Sequence, residues 1–165
     1  MISKFALMLA LALGIIIPPA LARDSLGVFE KWGAFRDPNV PRCYAIAMGE
    51  QTGRQRDYQP FASIGTWPTR GVRNQVHFRL SRQLAPEGRI TLFISGRQFA
   101  LQGGGGDAWA ADQAMDAAII AGMRSAQWMT VNARDSKGRR FSDSWQLRGA
   151  ATAMDAATVG CARLR

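Results

Sequence analysis

Histidine, lysine, cysteine and tyrosine are all scarce in this chain. The 165 residues include one histidine, two cysteines and two tyrosines, and only Lys4, Lys31 and Lys137 among 21 basic residues are lysine. One histidine leaves too few nitrogen and sulfur ligands for a zinc site. A Ser-His-Asp arrangement would have to use His77, yet no GxSxG elbow surrounds any serine. The glycine run Gly103–Gly106 is not followed by Lys-Ser or Lys-Thr, so it is not a phosphate-binding P-loop and reads as a flexible loop, 102–107. The 12 acidic residues are scattered, mostly beside turns or helix starts, and no carboxylate pair for glycoside cleavage stands out. No nucleic-acid recognition motif is present. These absences lead us to expect no enzyme, no metal and no cofactor.

What is present begins with an export signal. Lys4 is the only charge before Arg23, Phe5 to Ile17 carries no polar side chain, and Pro18-Pro19 precedes Ala20-Leu21-Ala22. A positive start, an apolar run and small residues before a cleavage point make a secretory signal peptide. The run is shorter than the about 20 residues a membrane span needs, and no later stretch is long enough. We therefore expect a signal peptide over 1–22 and a single domain over 23–165, periplasmic or secreted, with no integral span after cleavage. That length suffices for one domain with a real core, and five tryptophans and eight phenylalanines supply bulky anchors.

Two cysteines in an exported chain suggest a disulfide, and with two the pairing is Cys43 to Cys161. The alternative is a pair of free thiols in a redox or metal role, but the spacing is not CxxC. The formal net charge of +9 comes almost wholly from arginine. Guanidinium groups pair bidentately with carboxylates and phosphates. Arg54 and Arg56 in one polar loop, and Arg70 and Arg73 in another, are the candidate anion-binding surface. A generally basic surface explains the same composition, since the arginines are spread along the chain and net charge speaks to non-specific binding rather than to a site.

Periodicity organises the rest. Leu26 to Arg36 reads as a strand anchored by Phe29 and Trp32. Cys43 to Met48 alternates with apolar residues on both sides, as in a strand buried on both faces. Phe61 to Trp67 and Asn74 to Ser81 are strands, the latter with Val76, Phe78 and Leu80 inward and His77 and Arg79 outward. Runs 89–94 and 97–101 form a hairpin about Ser95-Gly96. Asp112 to Arg124 is an amphipathic helix whose apolar stripe includes Met115, Ile119 and Met123, with Asp112 as N-cap. Asp112 and Asp116 share a face, and their place near a helix start explains them better than acid-base work does. A second hairpin joins 128–134 to 139–147 around Asp135-Ser136-Lys137-Gly138. An Ala-rich helix from Ala150 to Val159 follows, with Gly160 placed to end it. The whole predicts a mainly β protein, an antiparallel sandwich of about seven or eight strands, with one helix before the last hairpin and a short C-terminal helix. Trp67, Trp109, Trp128 and Tyr58 are candidates for stacking on sugars, although such residues more often pack in cores.

Several segments together resemble the invasion-associated locus B family of alphaproteobacteria. They are the signal peptide, Phe29-Glu30-Lys31-Trp32, the strand of Cys43-Tyr44-Ala45, and Leu147-Arg148-Gly149 leading into an Ala-rich helix that ends at Cys161. Many members carry a further cysteine soon after the first tryptophan, whereas here Trp32 precedes Gly33-Ala34-Phe35-Arg36. The resemblance implies an exported, β-rich envelope protein without an established enzymatic activity. The expectation is a non-enzymatic protein that binds or supports an anionic envelope component or an envelope protein, with a periplasmic hydrolase or carbohydrate-active enzyme as the alternative.

Overall fold

Alternation of apolar and polar residues dictates the strands. A computed structural model describes residues 23–51 and 56–162, so the signal segment and Arg54 lie outside the described residues. The described residues form ten strands: β1 (Asp24–Phe29), β2 (Trp32–Asp37), β3 (Arg42–Met48), β4 (Phe61–Trp67), β5 (Val72–Arg79), β6 (Ile90–Ile94), β7 (Arg97–Gly104), β8 (Asp107–Trp109), β9 (Trp128–Arg134) and β10 (Arg140–Gln146). Helix α1 (Gln113–Ser125) precedes β9, and α2 (Ala150–Cys161) closes the described chain.

The strands follow one antiparallel order, β1-β2-β3-β4-β5-β8-β7-β6-β9-β10. β7 belongs to both halves: residues 97–101 pair with β6, and residues 102–104 pair with β8. The order therefore folds over on itself as an antiparallel sandwich. Rows Ala34–Ala45–Ile64–Val76 and Ala47–Ala62–Phe78–Ala108 line the inside of the first half. Leu92–Val131 and Ile94–Met129–Trp145 line the second. The halves meet where the Phe78 and Trp145 rings lie 5.4 Å apart, both fully buried. Each such side chain contributes roughly 1.5–3 kcal/mol on burial.

The helices cover what the strands leave open. Alanines on β2 and β3 make the inner surface shallow, and Ala150, Ala153 and Ala157 let α2 lie close against β1, β2 and β3. The Cys43–Cys161 disulfide ties the end of α2 to β3. α1 packs against β5, β6 and α2. β8 covers only residues 77–79 of β5, so the Val76 N–H has no strand partner on that side and donates instead to Asp116 of α1 at 2.8 Å. At the other edge, the Glu50 N–H donates to the Ser144 carbonyl at 2.9 Å and the Trp32 indole N–H to the Gln146 carbonyl at 2.9 Å. Both contacts occupy backbone groups of an edge strand that would otherwise invite pairing with another chain.

Five local expectations need correction. The first predicted strand is a hairpin, β1–β2, because Glu30 takes a left-handed conformation (φ 54°) and turns the chain between Phe29 and Trp32. β3 is buried on one face only: Cys43, Ala45 and Ala47 point inward, while Met48 is 52% exposed. The glycine run is not a loose loop. β7 continues through Gly104 into a tight turn to β8, where a Cβ on Gly103 would sit 2.1 Å from the Asp107 carbonyl oxygen. Gly160 does not end α2, which runs on to Cys161; it is small because a Cβ there would meet Leu26 of β1 at 2.4 Å. Splitting the first strand and adding β8 raises the count from seven or eight to ten.

Candidate functional site

The outer face of the first half carries most of the side chains with recognisable chemistry. Outward residues fall in three rows across the strands. One is Phe35–Tyr44–Gly65–Gln75, the next Ile46–Ser63–His77–Trp109, and the last Met48–Phe61–Arg79–Asp107. Two of these rows end on β8, the strand that the glycine turn makes possible.

His77 is the centre of this face. Its ring stacks on Trp109 with centroids 5.0 Å apart and planes 14° apart, and Phe61 meets it edge-on at 5.4 Å. Its Nε2 lies 3.0 Å from Asp107 Oδ1. A carboxylate only accepts, so Nε2 carries a proton and donates the hydrogen bond to Asp107. The second oxygen of Asp107 accepts from Arg79, whose guanidinium lies over the Tyr58 ring, 4.2 Å from its centroid. Phe35 and Tyr44 stack at 5.6 Å, with Arg42 over Tyr44 at 4.9 Å. The result is a flat field of aromatic rings held by fixed polar groups. Trp109 keeps 37% of its surface exposed although it is stacked.

Ser63 stands directly opposite His77 on the neighbouring strand, which sets a serine, the histidine and Asp107 together. Among the described residues no hydrogen bond joins Ser63 to His77, and the imidazole is committed to Asp107 through Nε2 and clamped by two rings. The geometry fixes the ring, and the other ring nitrogen makes no hydrogen bond to Ser63.

Of the arginines singled out from sequence, Arg56 stands apart from Arg70 and Arg73. Arg56 donates to the Glu50 carbonyl at 2.7 Å near the Ser81 end of β5. Arg70 and Arg73 lie at the start of the same strand, with Arg70 in a short 3-10 turn, Pro68–Arg70. The length of β5, eight residues, separates Arg56 from Arg70 and Arg73 by roughly 20–25 Å at ~3.3 Å per residue. Arg73 lines a groove of about 400 Å³ with Thr66, Asn74 and Thr158 beside the disulfide.

Four other acids serve the fold. Asp112 caps α1 by accepting from the Met115 N–H at 2.8 Å, as expected. Burial pushes the Asp116 carboxyl up; the Val76 N–H opposes this and the charge of Asp112 adds to it. Burial likewise raises Asp143, which accepts from the Ser81 N–H at 2.7 Å and so holds β10 against the end of β5. Asp135 accepts from the backbone of Lys137 and Arg139 and from the Arg82 and Arg139 side chains, which knots the β9–β10 turn. Among the described residues, no group of three or more histidine, cysteine or acidic side chains is placed to hold a metal.

Sequence reasoning marked the outward direction of His77 and the stacking capacity of Trp109 and Tyr58. It missed Asp107 and Arg79 as partners, because Asp107 was assigned to a loop. The one available signal was the Asp-Ala-Trp alternation after the glycines.

Compared with family models, with curated proteins and with solved structures, the chain finds no significant match.

Proposed function

We propose that this is an exported, non-catalytic protein that holds a sugar-bearing component of the cell envelope on the outer face of its first half. The observation that carries this reading is Trp109, exposed yet fixed parallel to His77 among Phe61, Tyr58, Asp107 and Arg79. A sugar presents a C–H face that packs on an aromatic ring and hydroxyls that bond to charged edges, and a ring already immobilised loses little entropy on binding. Export rests on the signal segment, and the disulfide is compatible with an oxidising compartment. The resemblance to invasion-associated locus B proteins points the same way. The test is co-sedimentation with purified envelope fractions, comparing wild type with Trp109→Ala. Loss of the ring should weaken binding roughly tenfold, from stacking energy of about 0.5–1.5 kcal/mol plus the buried area. Undiminished binding by a folded Trp109→Ala protein would sink the assignment.

A hydrolytic reading keeps one observation, the placement of Ser63 opposite a His77 that is paired with Asp107. It requires turnover of an activated ester that disappears in Ser63→Ala. Absence of turnover in the wild type removes it and leaves the binding reading untouched.

A further inference from the structure

The outer face of the second half carries a different pattern. Arg140 stands directly opposite Arg134 across β9 and β10. Arg89 lies just before β6, two residues ahead of Thr91, which pairs with Asn132 of β9. The three arginines line one groove of about 560 Å³ together with Thr91, Asn132 and Ser142.

The Arg134–Arg140 pair works against the fold, since like charges directly opposite each other destabilise a strand pair. Eight other arginines among the described residues stand in ion pairs with an acid, and none of those pairs includes Arg89, Arg134 or Arg140. Arg134 is further held in place by donating to the Gly138 carbonyl at 2.7 Å. Three uncompensated guanidinium groups, one of them tethered, make a preorganised place for anions, because each presents a planar fork to a carboxylate or phosphate.

The surface beside the arginines narrows the ligand further. The next row is Thr91–Asn132–Ser142, in which the Ser142 hydroxyl donates to Asn132 Oδ1 at 2.7 Å and so leaves the Asn132 amide N–H groups facing outward to donate. Beyond it lie Phe93, Thr130 and Ser144, with Phe93 36% exposed. A flat lane of hydroxyls and an amide, charged at one end and apolar at the other, suits a chain of acidic sugars. A lipid surface would call for apolar side chains among the charges, whereas the exposed Phe93 and Trp128 stand toward the far end of the lane, beyond the Thr91–Asn132–Ser142 row.

We propose that Arg89, Arg134 and Arg140 form a binding site for a carboxylate-bearing polysaccharide. The site shares no residue with the Trp109 face, so each assignment stands or falls separately. The experiment is isothermal titration calorimetry of the purified mature protein. Alginate oligosaccharides are the probe, with neutral dextran oligosaccharides and inorganic phosphate as comparisons, at low and at physiological ionic strength. Alginate should bind, more weakly as salt screens the charges, and the double variant Arg89→Gln/Arg140→Gln should weaken it by at least about tenfold. Its thermal midpoint should equal or exceed that of the wild type, because a like-charge pair has been relieved. Arg148→Gln, which alters net charge on a separate ion pair with Glu30, should bind as the wild type does. Four results would overturn the proposal: no alginate binding by wild type, equal weakening by Arg148→Gln, phosphate bound as tightly as alginate, or a preference for anionic-lipid vesicles over alginate.

Discussion

Replacing both cysteines, Cys43→Ala/Cys161→Ala, tests how the C-terminal helix is held. The bridge joins residues 118 apart in sequence, with Cα atoms 5.6 Å apart in the fold. Closing a loop of that length removes chain entropy from the unfolded state worth about 5 kcal/mol. Both cysteines are also buried, at 1% and 6% exposure, and removing two groups of methylene size from a packed site costs about 2 kcal/mol more. The expected loss is about 5–7 kcal/mol, and somewhat less if the unfolded chain is compact. Against a typical domain stability of roughly 5–15 kcal/mol, that is enough to leave the variant marginal. The assay is urea denaturation of both proteins without reductant, after intact mass has shown that no thiol in the wild type reacts with alkylating agent. The midpoint should fall and the slope should rise, since an uncrosslinked chain exposes more surface on unfolding. A difference below about 1 kcal/mol with an unchanged slope would refute the entropic account. Loss of amide protection confined to α2 would show instead that the bridge docks the helix without constraining the whole chain.

Two further perturbations probe the frame. Gly149 sits at the start of α2 with φ 86°, where a Cβ would lie 1.9 Å from the Phe29 carbonyl oxygen. Gly149→Ala should therefore cost about 3–5 kcal/mol, from the left-handed conformation plus the clash. Gly138→Ala, with φ 77° and nothing within 4 Å, should cost only about 1–2 kcal/mol; equal losses in thermal melts would contradict the structure. For Asp135, burial opposes the charge, but the Arg139 backbone N–H, the Arg139 guanidinium and the Lys137 N–H outweigh it and hold the carboxyl below its usual range. A depressed pKa means stabilisation that is present above the unfolded value of ~3.9 and lost as pH falls through the folded one. The gap in thermal midpoint between wild type and Asp135→Asn should be widest above about pH 5 and close in stronger acid. A gap independent of pH would show that the carboxylate charge contributes nothing.

Legibility from sequence tracked locality. The hairpin turn at Ser95-Gly96 was readable because both residues there take positive φ, 49° and 71°, and glycine advertises that conformation. The turn at Glu30 was not, because a glutamate carries no such signal. The α1 cap followed from Asp112, three residues before the N–H it accepts. Gly160 misled for the opposite reason: its small size answers to Leu26 on a strand more than a hundred residues earlier, and no local pattern encodes that approach.

The sequence by itself determined the β-rich class, the positions of both helices, the pairing of the two cysteines and the outward direction of His77. Each of these follows from period, spacing or count, which are properties of neighbouring residues or of composition. Tertiary structure alone decided that Asp107 reaches His77 from 30 residues away. It also decided that Ser63 faces His77, that Arg56 and Arg73 sit at opposite ends of one strand, and that Arg89, Arg134 and Arg140 line one groove. Those juxtapositions depend on strand order and register. A shift of one residue would turn every side chain of a strand to the other face, so they emerge only once the whole sheet has chosen which surface to bury.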